Sequence, residues 1–124
     1  MFYKCTNRIK LAILYNKKGF TIQNNKNNIN ILKVFIKLNV IKFVKIEENK
    51  ILVFINYINN RPIFNNITNL FKPGHKIYIS LKNLKKINSK KKWILILSTS
   101  KGILNNFEAV NKNVGGLLIT KIWN

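Results

Sequence analysis

Residues 93–102 have the sequence Trp-Ile-Leu-Ile-Leu-Ser-Thr-Ser-Lys-Gly, in which an uninterrupted apolar run gives way to small polar residues. An apolar run of this length, rich in Ile, predicts a buried β-strand. The hydroxyl-bearing residues that follow predict a loop at the exit of that strand. Asn105 and Glu108 have the spacing of a capping box, which predicts a short helix after the loop.

The last part of the chain predicts one more strand. Asn113 is suited to the left-handed conformation that ends a helix, and Gly115-Gly116 is expected to turn the chain into a strand at 117–123. We expect Leu104, Phe107 and Val110 on the inward face of the short helix, and Trp93 and Trp123 in the core.

Towards the N-terminus the pattern alternates between helix and strand. Apolar spacing predicts a helix at 2–15 and a second one ending near Leu38, with an Asn-rich loop at 24–30 that supplies its cap. Between them Gly19 opens a short extended segment. After Asn39 the period becomes that of strands, with a hairpin turn at Glu48-Asn49-Lys50 and a strand at 51–58.

The middle of the chain carries the expected lobe boundary. Residues 63–71 fit a helix and an irregular strand equally well. Lys72-Pro73-Gly74 is a strong turn signal, followed by a short strand at 76–79, a helical turn at 81–87 and a solvated run at Lys90–Lys92. The sequence thus predicts an α+β protein of two small lobes. The first, at 1–70, has the order α-β-α-β-β; the second, at 71–124, is mostly β with one or two short helices.

Charge points to a polyanionic partner. The 124 residues include 23 Lys and Arg against three acids, none of them Asp, for a net charge of +20. Nucleic acid is the first candidate, an anionic membrane surface the second and an acidic protein the third. Because only Arg8 and Arg61 are guanidiniums, contact with the phosphate backbone is favoured over the reading of base edges. The dominance of Asn, Ile and Lys indicates an AT-rich coding genome, so part of the Lys excess reflects mutational bias.

The sequence lacks the residues that several classes of protein require. Cys5 and His75 each occur once, which excludes an internal disulfide and a zinc cluster. No nucleophile has a paired base: adjacent Glu47 and Glu48 point apart in a turn, and Glu108 is explained as a cap. No apolar run approaches the ~18 residues of a spanning helix. Met1–Lys4 leaves too little room for a signal peptide or a long presequence before the first helix. We therefore expect no enzyme activity, cofactor, metal, membrane or small-molecule substrate.

Each candidate contact also has a purely structural interpretation. The residues Ser98 to Gly102 can hold phosphate or an unstacked base, or can simply complete a turn. Tyr78 can stack on a base, although such a Tyr is more often a core residue with its hydroxyl at the rim. The Lys90–Lys92 run is a solvated loop that can also touch phosphate.

Two stretches carry a family resemblance. Pro73-Gly74-His75-Lys76-Ile77-Tyr78 resembles a segment of the small-subunit ribosomal protein eight family. Ser98-Thr99-Ser100-Lys101-Gly102-Ile103-Leu104, followed by Glu108-Ala109 and Val114-Gly115-Gly116, resembles the closing signature of that family. Weaker similarity begins at Thr6-Asn7-Arg8-Ile9-Lys10, so the resemblance covers nearly the whole chain and is most specific in its last 55 residues or so.

The resemblance implies a structural constituent of the small ribosomal subunit that binds a stem in the central domain of the small-subunit rRNA and supports assembly and translation. It also implies neighbouring small-subunit proteins as partners and a strand at 63–71. The contacts it implies are with distorted bases at the Ser-Thr-Ser loop and with the RNA backbone in the first lobe. The RNA-binding residues expected on this basis are Ser98, Thr99, Ser100, Lys101, Gly102, Tyr78, Lys76, Gly116, Arg8 and Lys10.

The chain also departs from the family pattern. Leu117 stands where the family usually has Glu after the double Gly, and Asn106 replaces the usual acid of the short helix. A Gly-rich segment is replaced by Ser89-Lys90-Lys91-Lys92. AT-rich coding and the short N-terminus favour a protein made within an organelle, with the mitochondrion first, the plastid second and a bacterium with a reduced genome as the remaining alternative. The competing hypothesis is a basic RNA-binding or RNA-chaperone module outside the ribosome.

Overall fold

The computed structural model describes residues 2–64, 66–70, 74, 76–90 and 93–123, with the backbone alone at Phe2, Tyr3 and Lys90. The chain divides into two compact units, Met1–Asn65 and Asn66–Asn124. Helices and strands are mixed in both, which confirms the α+β class. The division comes earlier than the boundary expected at residue 70, because residues 66–69 pair with the last strand of the chain.

The first unit begins with the expected order of elements, α-β-α-β-β, but the strand expected at 51–58 ends at Ile55 and two short strands follow it. One antiparallel sheet contains three strands in the order β1-β3-β2, and α1 and α2 contact each other and the sheet. The elements are α1 (Phe2–Leu14), β1 (Gly19–Gln23), α2 (Lys26–Lys37), β2 (Ile41–Ile46) and β3 (Lys50–Ile55), followed by the short paired strands β4 (Tyr57–Ile58) and β5 (Arg61–Pro62).

Alternation and helical spacing place the apolar side chains of this unit. On β3, Ile51, Val53 and Ile55 are buried, whereas Leu52 and Phe54 between them are half-buried on the opposite face. On α2 the fully or nearly fully buried residues include Ile31, Leu32 and Phe35, as expected for a helix with one apolar side.

The Asn-rich stretch caps α2, as predicted, but residues 26–30, which were expected in a loop, form the start of the helix itself. The Asn25 side chain accepts a hydrogen bond from the backbone N–H of Asn28 at 2.8 Å, which satisfies one free donor of the first helical turn. The buried Asn28 side chain donates to the Gln23 carbonyl at 2.8 Å. These two bonds fix the start of α2 against the end of β1.

The second unit is built around its last strand. That strand pairs antiparallel with three others, in a sheet whose main path is β6-β10-β8-β9 with β7 also on β10. The elements are β6 (Asn66–Asn69), β7 (Tyr78–Ile79), α3 (Leu81–Lys90), β8 (Ile94–Thr99), β9 (Gly102–Asn105), α4 (Asn106–Asn111) and β10 (Gly116–Trp123).

Three predictions about this unit need correction. Residues 98–102 are the end of a β-hairpin and not an irregular loop, since β8 continues through Thr99 and β9 starts at Gly102. The helix α3 continues through Lys90, which was expected in a loop. The strand before it is limited to Tyr78–Ile79, and residues 66–69 form the strand that the resemblance implied.

The core of this unit lies between the sheet and the helices. Leu84 of α3 and Ala109 of α4 pack on Leu95, Leu97 and Leu104. Phe107, expected on the inward face of α4, is exposed, and Ala109 is buried on that face. Leu104, expected on the same helix face, lies in β9.

The predicted core position of Trp93 is also wrong. This side chain is exposed, and the Lys121 ammonium lies 3.8 Å from the centre of its ring and 5.0 Å from that of Trp123. Both tryptophan rings therefore make a cation–π contact with the same ammonium.

Buried amide groups fix α4 on the sheet. The predicted capping box is present, with the Asn105 side chain bonded to the Glu108 N–H, and Asn113 has the predicted positive φ, +55°. Asn106, fully buried, donates through Nδ2 to Asn88 Oδ1 at 2.8 Å and to the Trp93 carbonyl at 3.1 Å. Its Oδ1 accepts from the N–H of Leu95 at 3.3 Å. One side chain thus links α3, α4 and the start of β8.

Candidate nucleic-acid interface

The Ser-Thr-Ser segment lies at the tip of the β8–β9 hairpin. Thr99 pairs with Gly102, and Ser100 and Lys101 form the two-residue turn between them. Neither turn residue has a positive φ, whereas Gly102 has a φ of +105°. A side chain at this φ would be strained, which explains the glycine.

The three hydroxyls of this segment have different environments. Thr99 Oγ1 donates to the Gly102 carbonyl at 2.8 Å and accepts from the N–H of Lys101 at 3.1 Å, so this hydroxyl holds the turn together. The hydroxyls of Ser98 and Ser100 make no hydrogen bond within the described ranges of the chain. The hydrogen-bond donors and acceptors of these two side chains are therefore available to a binding partner.

Lys101 has a structural contact of its own. Its ammonium donates to the Lys112 carbonyl at 3.1 Å, and Lys112 is the C-cap of α4. A cation is favourable at the C-terminal end of a helix. Because an ammonium has three donors, Lys101 holds the hairpin tip against α4 and retains donors that face solvent.

Strand register places four side chains in one row across the sheet. Leu117 pairs with Tyr78 on one side and with Ser98 on the other, and Ser98 pairs with Ile103. Directly paired residues of an antiparallel sheet point to the same face. We call these residues, Tyr78, Leu117, Ser98 and Ile103, the outer row. The next residue of β10, Leu118, packs against the helical core, so the outer row is on the face away from α3 and α4.

The outer row combines an aromatic ring with a free hydroxyl. Tyr78 is 70% exposed, and Ser98 and Leu117 are half-buried. The register therefore places Tyr78 on the same face of the sheet as Ser98, with Leu117 of β10 between them. Lys76 is exposed as well, but it precedes β7 and has no strand partner. Lys72, Pro73 and His75 of the expected turn and motif lie outside the described residues, and Gly74 has a positive φ of +79°.

Gly116 permits the close approach of the strands. A Cβ at this position would collide with the Ser98 carbonyl oxygen and lie 2.9 Å from Thr99 Cγ2. At Gly115 a Cβ would likewise collide with the carbonyl oxygen of Ile79. The double glycine thus sets the distance of β10 from β7 and β8 at the outer row. Gly116 therefore contributes to the candidate interface by setting the distance between these strands.

The two cations expected in the first unit lie apart. Arg8 is exposed and lines a polar depression of about 510 Å³ together with Lys4 and Lys50. The same depression includes Asn25, the N-cap of α2, where free N–H groups favour an anion. Lys10 is half-buried and not among the lining residues, since two helical positions are separated by about 200° around the axis.

Reasoning from the sequence missed Lys4, although its spacing from Arg8 gave a clue. Residues four apart lie on one side of a helix, so Lys4 was the natural companion of Arg8. Lys50 could not be found in this way, because it reaches the depression from a different element, at the start of β3.

The described residues offer little for catalysis. Within those ranges no three His, Cys, Asp or Glu side chains are grouped as a metal ion would require. Burial raises the pKa of the Cys5 thiol to about 12, so it stays protonated at neutral pH and is a poor nucleophile. No helix of the described part has the length and apolar character needed to cross a bilayer.

Comparison with known proteins gives a consistent result. The family model described as Ribosomal protein S8 matches residues 3–123. The small ribosomal subunit protein uS8m of Acanthamoeba castellanii is 41% identical over 103 residues, which are 82% of this chain and 81% of that protein. The protein uS8 of Borrelia garinii subsp. bavariensis is 39% identical over 108 residues, covering 80% and 76%. That of Mesomycoplasma hyopneumoniae strain 7448 is 32% identical over 119 residues, covering 94% and 90%.

Proposed function

Since this chain belongs to the ribosomal protein S8 family, we propose that it binds a stem in the central domain of the small-subunit rRNA through the β8–β9 hairpin and the outer row. As a member of that family it is a structural constituent of the small ribosomal subunit, with rRNA and neighbouring ribosomal proteins as its partners.

The observation that carries the proposal is the pair of unbonded serine hydroxyls. Ser98 and Ser100 present hydroxyls at a hairpin tip, and the exposed ring of Tyr78 lies in the same row as Ser98. Short hydroxyls and an aromatic ring suit a distorted stem, whose unstacked bases offer polar edges and flat faces. A regular duplex offers neither, since its deep groove is closed to side chains. The outer row therefore favours an irregular stem.

The lysines and Arg8 supply a second kind of contact. Lys76 is exposed two residues before Tyr78, and Lys101 keeps free donors at the hairpin tip. In the first unit, Arg8 and Lys4 line the polar depression at the start of α2. Such cations bind phosphate with little dependence on sequence. We assign backbone contact to them and recognition of the stem to the serines.

The same features argue against turnover. The hydroxyl of Ser98 lies in the outer row with Tyr78, Leu117 and Ile103, and that of Ser100 lies in the turn, so neither has a histidine or carboxylate as its paired neighbour. The chain is accordingly proposed to be a binding protein with no enzyme activity, no small-molecule substrate and no membrane partner.

The proposed location is the mitochondrial ribosome. The AT-rich amino-acid usage fits an organelle-encoded protein, and the Acanthamoeba relative carries the mitochondrial suffix in its name. Bacterial relatives match over similar lengths, so the alternatives are the plastid and a bacterium with a reduced genome. Mass spectrometry of small subunits purified from each organelle tests this: peptides of this chain in plastid subunits alone would reject the mitochondrial assignment.

RNA titration separates the two kinds of contact. The full chain is titrated with the cognate stem and with a regular duplex of equal length, at several salt concentrations. Ser98→Ala with Ser100→Ala should weaken cognate binding by roughly 1–3 kcal/mol and leave the duplex and the salt slope unchanged. Lys4→Gln with Arg8→Gln should weaken both RNAs and flatten the slope by up to about 0.9 for each phosphate that is no longer neutralised.

The matched control is Ser89→Ala, which removes an exposed hydroxyl from α3 that is bonded within its own helix to the Lys86 carbonyl. It should leave both affinities unchanged. Equal loss of both RNAs in the serine double variant would show that the hairpin is a turn beside charged residues, and would reject the assignment of the site.

A further inference from the structure

An apolar groove runs along the first unit between α2 and β2, separate from the residues assigned to RNA. It has a volume of about 240 Å³. Six aliphatic side chains and one lysine form it: Ile29, Leu32, Lys33 and Ile36 of α2, Val44 and Ile46 of β2, and Ile51 of β3. Ile46 at its margin is 56% exposed. Exposed aliphatic surface of this kind marks an interaction site more often than a solvated one.

The strand beside the groove has an open edge. In the sheet order β1-β3-β2, β2 pairs on one side only among the described strands of this unit. The N–H of Glu47 bonds the Lys50 carbonyl at 2.9 Å. Hydrogen-bonded and non-bonded pairs alternate along an antiparallel ladder, so the N–H groups of Val44 and Ile46 point away from β3. The residues with outward N–H groups are therefore those with side chains in the groove.

This combination fits an added β-strand from another protein. A strand that pairs with the edge of β2 satisfies the outward N–H and C=O groups, and every second side chain of it enters the groove. RNA fits poorly, because the residues that line the groove are aliphatic apart from Lys33 and include no aromatic ring for stacking. The chemistry of the groove thus selects an extended peptide with alternate aliphatic side chains.

Charge decides between a second copy and a different partner. Lys33 lines the groove, Lys26 lies seven residues before it on the same side of α2, and Lys42 and Lys45 are exposed on β2. Two acids lie nearby, Glu47 at 3.8 Å from Lys50 and Glu48 in the turn, so the four lysines outnumber them and leave a net positive charge. Lysines on an edge strand oppose pairing with a like-charged edge, and two chains of +20 repel each other.

We propose that the edge of β2 and the α2–β2 groove bind an extended, acidic segment of another protein by β-strand addition, with aliphatic side chains in the groove and carboxylates towards the lysines. The site shares no residue with the β8–β9 hairpin. Its test can therefore fail while the proposed contact with rRNA holds, and the reverse.

The test uses the full chain and three synthetic peptides of about nine residues, a length that covers a typical strand. The first alternates Leu with Glu, the second alternates Leu with Lys, and the third has the composition of the first with its leucines grouped together. Binding is measured by calorimetry, and hydrogen exchange of the backbone amides is followed by NMR. The variant Ile46→Lys places a charge at the groove, and Ile58→Lys, at a residue that is 59% exposed in β4, is the matched control.

The alternating acidic peptide should bind the wild type and the control within about twofold of each other, and Ile46→Lys at least about tenfold more weakly. On binding, exchange should slow at Val44 and Ile46, whose N–H groups gain partners. The other two peptides should bind at least about tenfold more weakly than the first. The exchange measurement on the wild type keeps the test valid if Ile46→Lys does not fold.

Several results would overturn the proposal. These are absence of binding by the alternating acidic peptide, equal binding by the grouped peptide, an unchanged affinity in folded Ile46→Lys, and no slowing at Val44 and Ile46. Sedimentation that shows a dimer abolished by Ile46→Lys would assign the edge to a second copy. Slowing of the same two amides by a single-stranded RNA oligonucleotide, with displacement of the peptide, would assign it to RNA.

Discussion

Replacement of Asn106 by Asp should destabilise the second unit strongly, although it changes only one non-hydrogen atom. Asn106 is fully buried and uses both amide hydrogens, one towards Asn88 Oδ1 and one towards the Trp93 carbonyl. An ionised carboxylate has no donor, so Asn106→Asp turns both bonds into contacts between acceptors. Only the bond from the N–H of Leu95 survives.

The expected cost follows from those two bonds. Each broken bond removes about 1 kcal/mol, and each polar group left without a partner adds about 1–3 kcal/mol, of which the lower end applies because both bonds are partly buried. Allowing for partial relaxation and for a proton taken up by the new carboxyl, we expect a loss of about 3–5 kcal/mol at pH 7, comparable with breaking a buried polar network. Domains of this size are stable by only about 5–15 kcal/mol, so the variant should be near the limit of folding.

The cost should also depend on pH. Burial raises the pKa of the new carboxyl in the folded state above its unfolded value of about 3.9. Below that value both states are protonated and the defect is smallest. As the pH rises, the unfolded state ionises first, and stability falls by about 1.4 kcal/mol per unit until the folded carboxyl ionises too.

Urea unfolding at pH 4 and pH 7, followed by tryptophan fluorescence, measures both effects. The matched control is Asn83→Asp, the same chemical change at an exposed position in the first turn of α3, where an acid is tolerated or favourable. If Asn106→Asp costs no more than the control at pH 7, or if its cost does not shrink towards pH 4, the assigned network is wrong.

Three other outcomes are expected. Gly116→Ala should lower the unfolding free energy by about 1–3 kcal/mol and should also weaken the binding of cognate RNA, because the added Cβ collides with the Ser98 carbonyl. Unchanged melting and titration curves would contradict the close approach of the strands. Thr120→Val should raise stability by up to about 1 kcal/mol in urea, since Thr120 Oγ1 and the neighbouring Asn69 Oδ1 are buried without a partner; a decrease in stability would reveal a bond. Cys5, buried with its pKa raised to about 12, should react with a thiol reagent at pH 8 only as fast as the chain unfolds, whereas fast labelling in native buffer would refute its burial.

The elements that could be predicted from sequence are those with local causes. Asn25 and Asn105 cap helices because each side chain bonds an N–H three residues ahead. Asn113 ends α4 because Asn tolerates a positive φ. The strands of the first hairpin follow from alternation, which is also local. In each of these elements the interacting groups lie within a few positions of one another, so their spacing is visible in the sequence.

The features that sequence reasoning missed depend on pairing between distant segments. Residues 102–105 form a strand only because they pair with β8, and a short Gly-Ile-Leu-Asn segment has no alternation long enough to show it. Trp93 was expected in the core from its apolar neighbours, but its ring faces Lys121 of β10. The different uses of the three hydroxyls became apparent only when the turn geometry was known. Lys101, expected to bind RNA, also donates to a carbonyl at the end of α4, and this contact likewise became apparent only with the turn geometry.

Register also bears on the substitution of the family's usual Glu by Leu117. The double glycine lets β10 approach β7 and β8, and this approach places residue 117 between Tyr78 and Ser98 whatever its side chain. A carboxylate at 117 would lie within reach of the hydroxyls of Tyr78 and Ser98. It would compete with RNA for the Ser98 hydroxyl. Leucine leaves that hydroxyl without a partner and adds no negative charge opposite phosphate. The geometry of the outer row is therefore compatible with loss of the carboxylate, because the backbone of β10 sets the position of Ser98 and Tyr78.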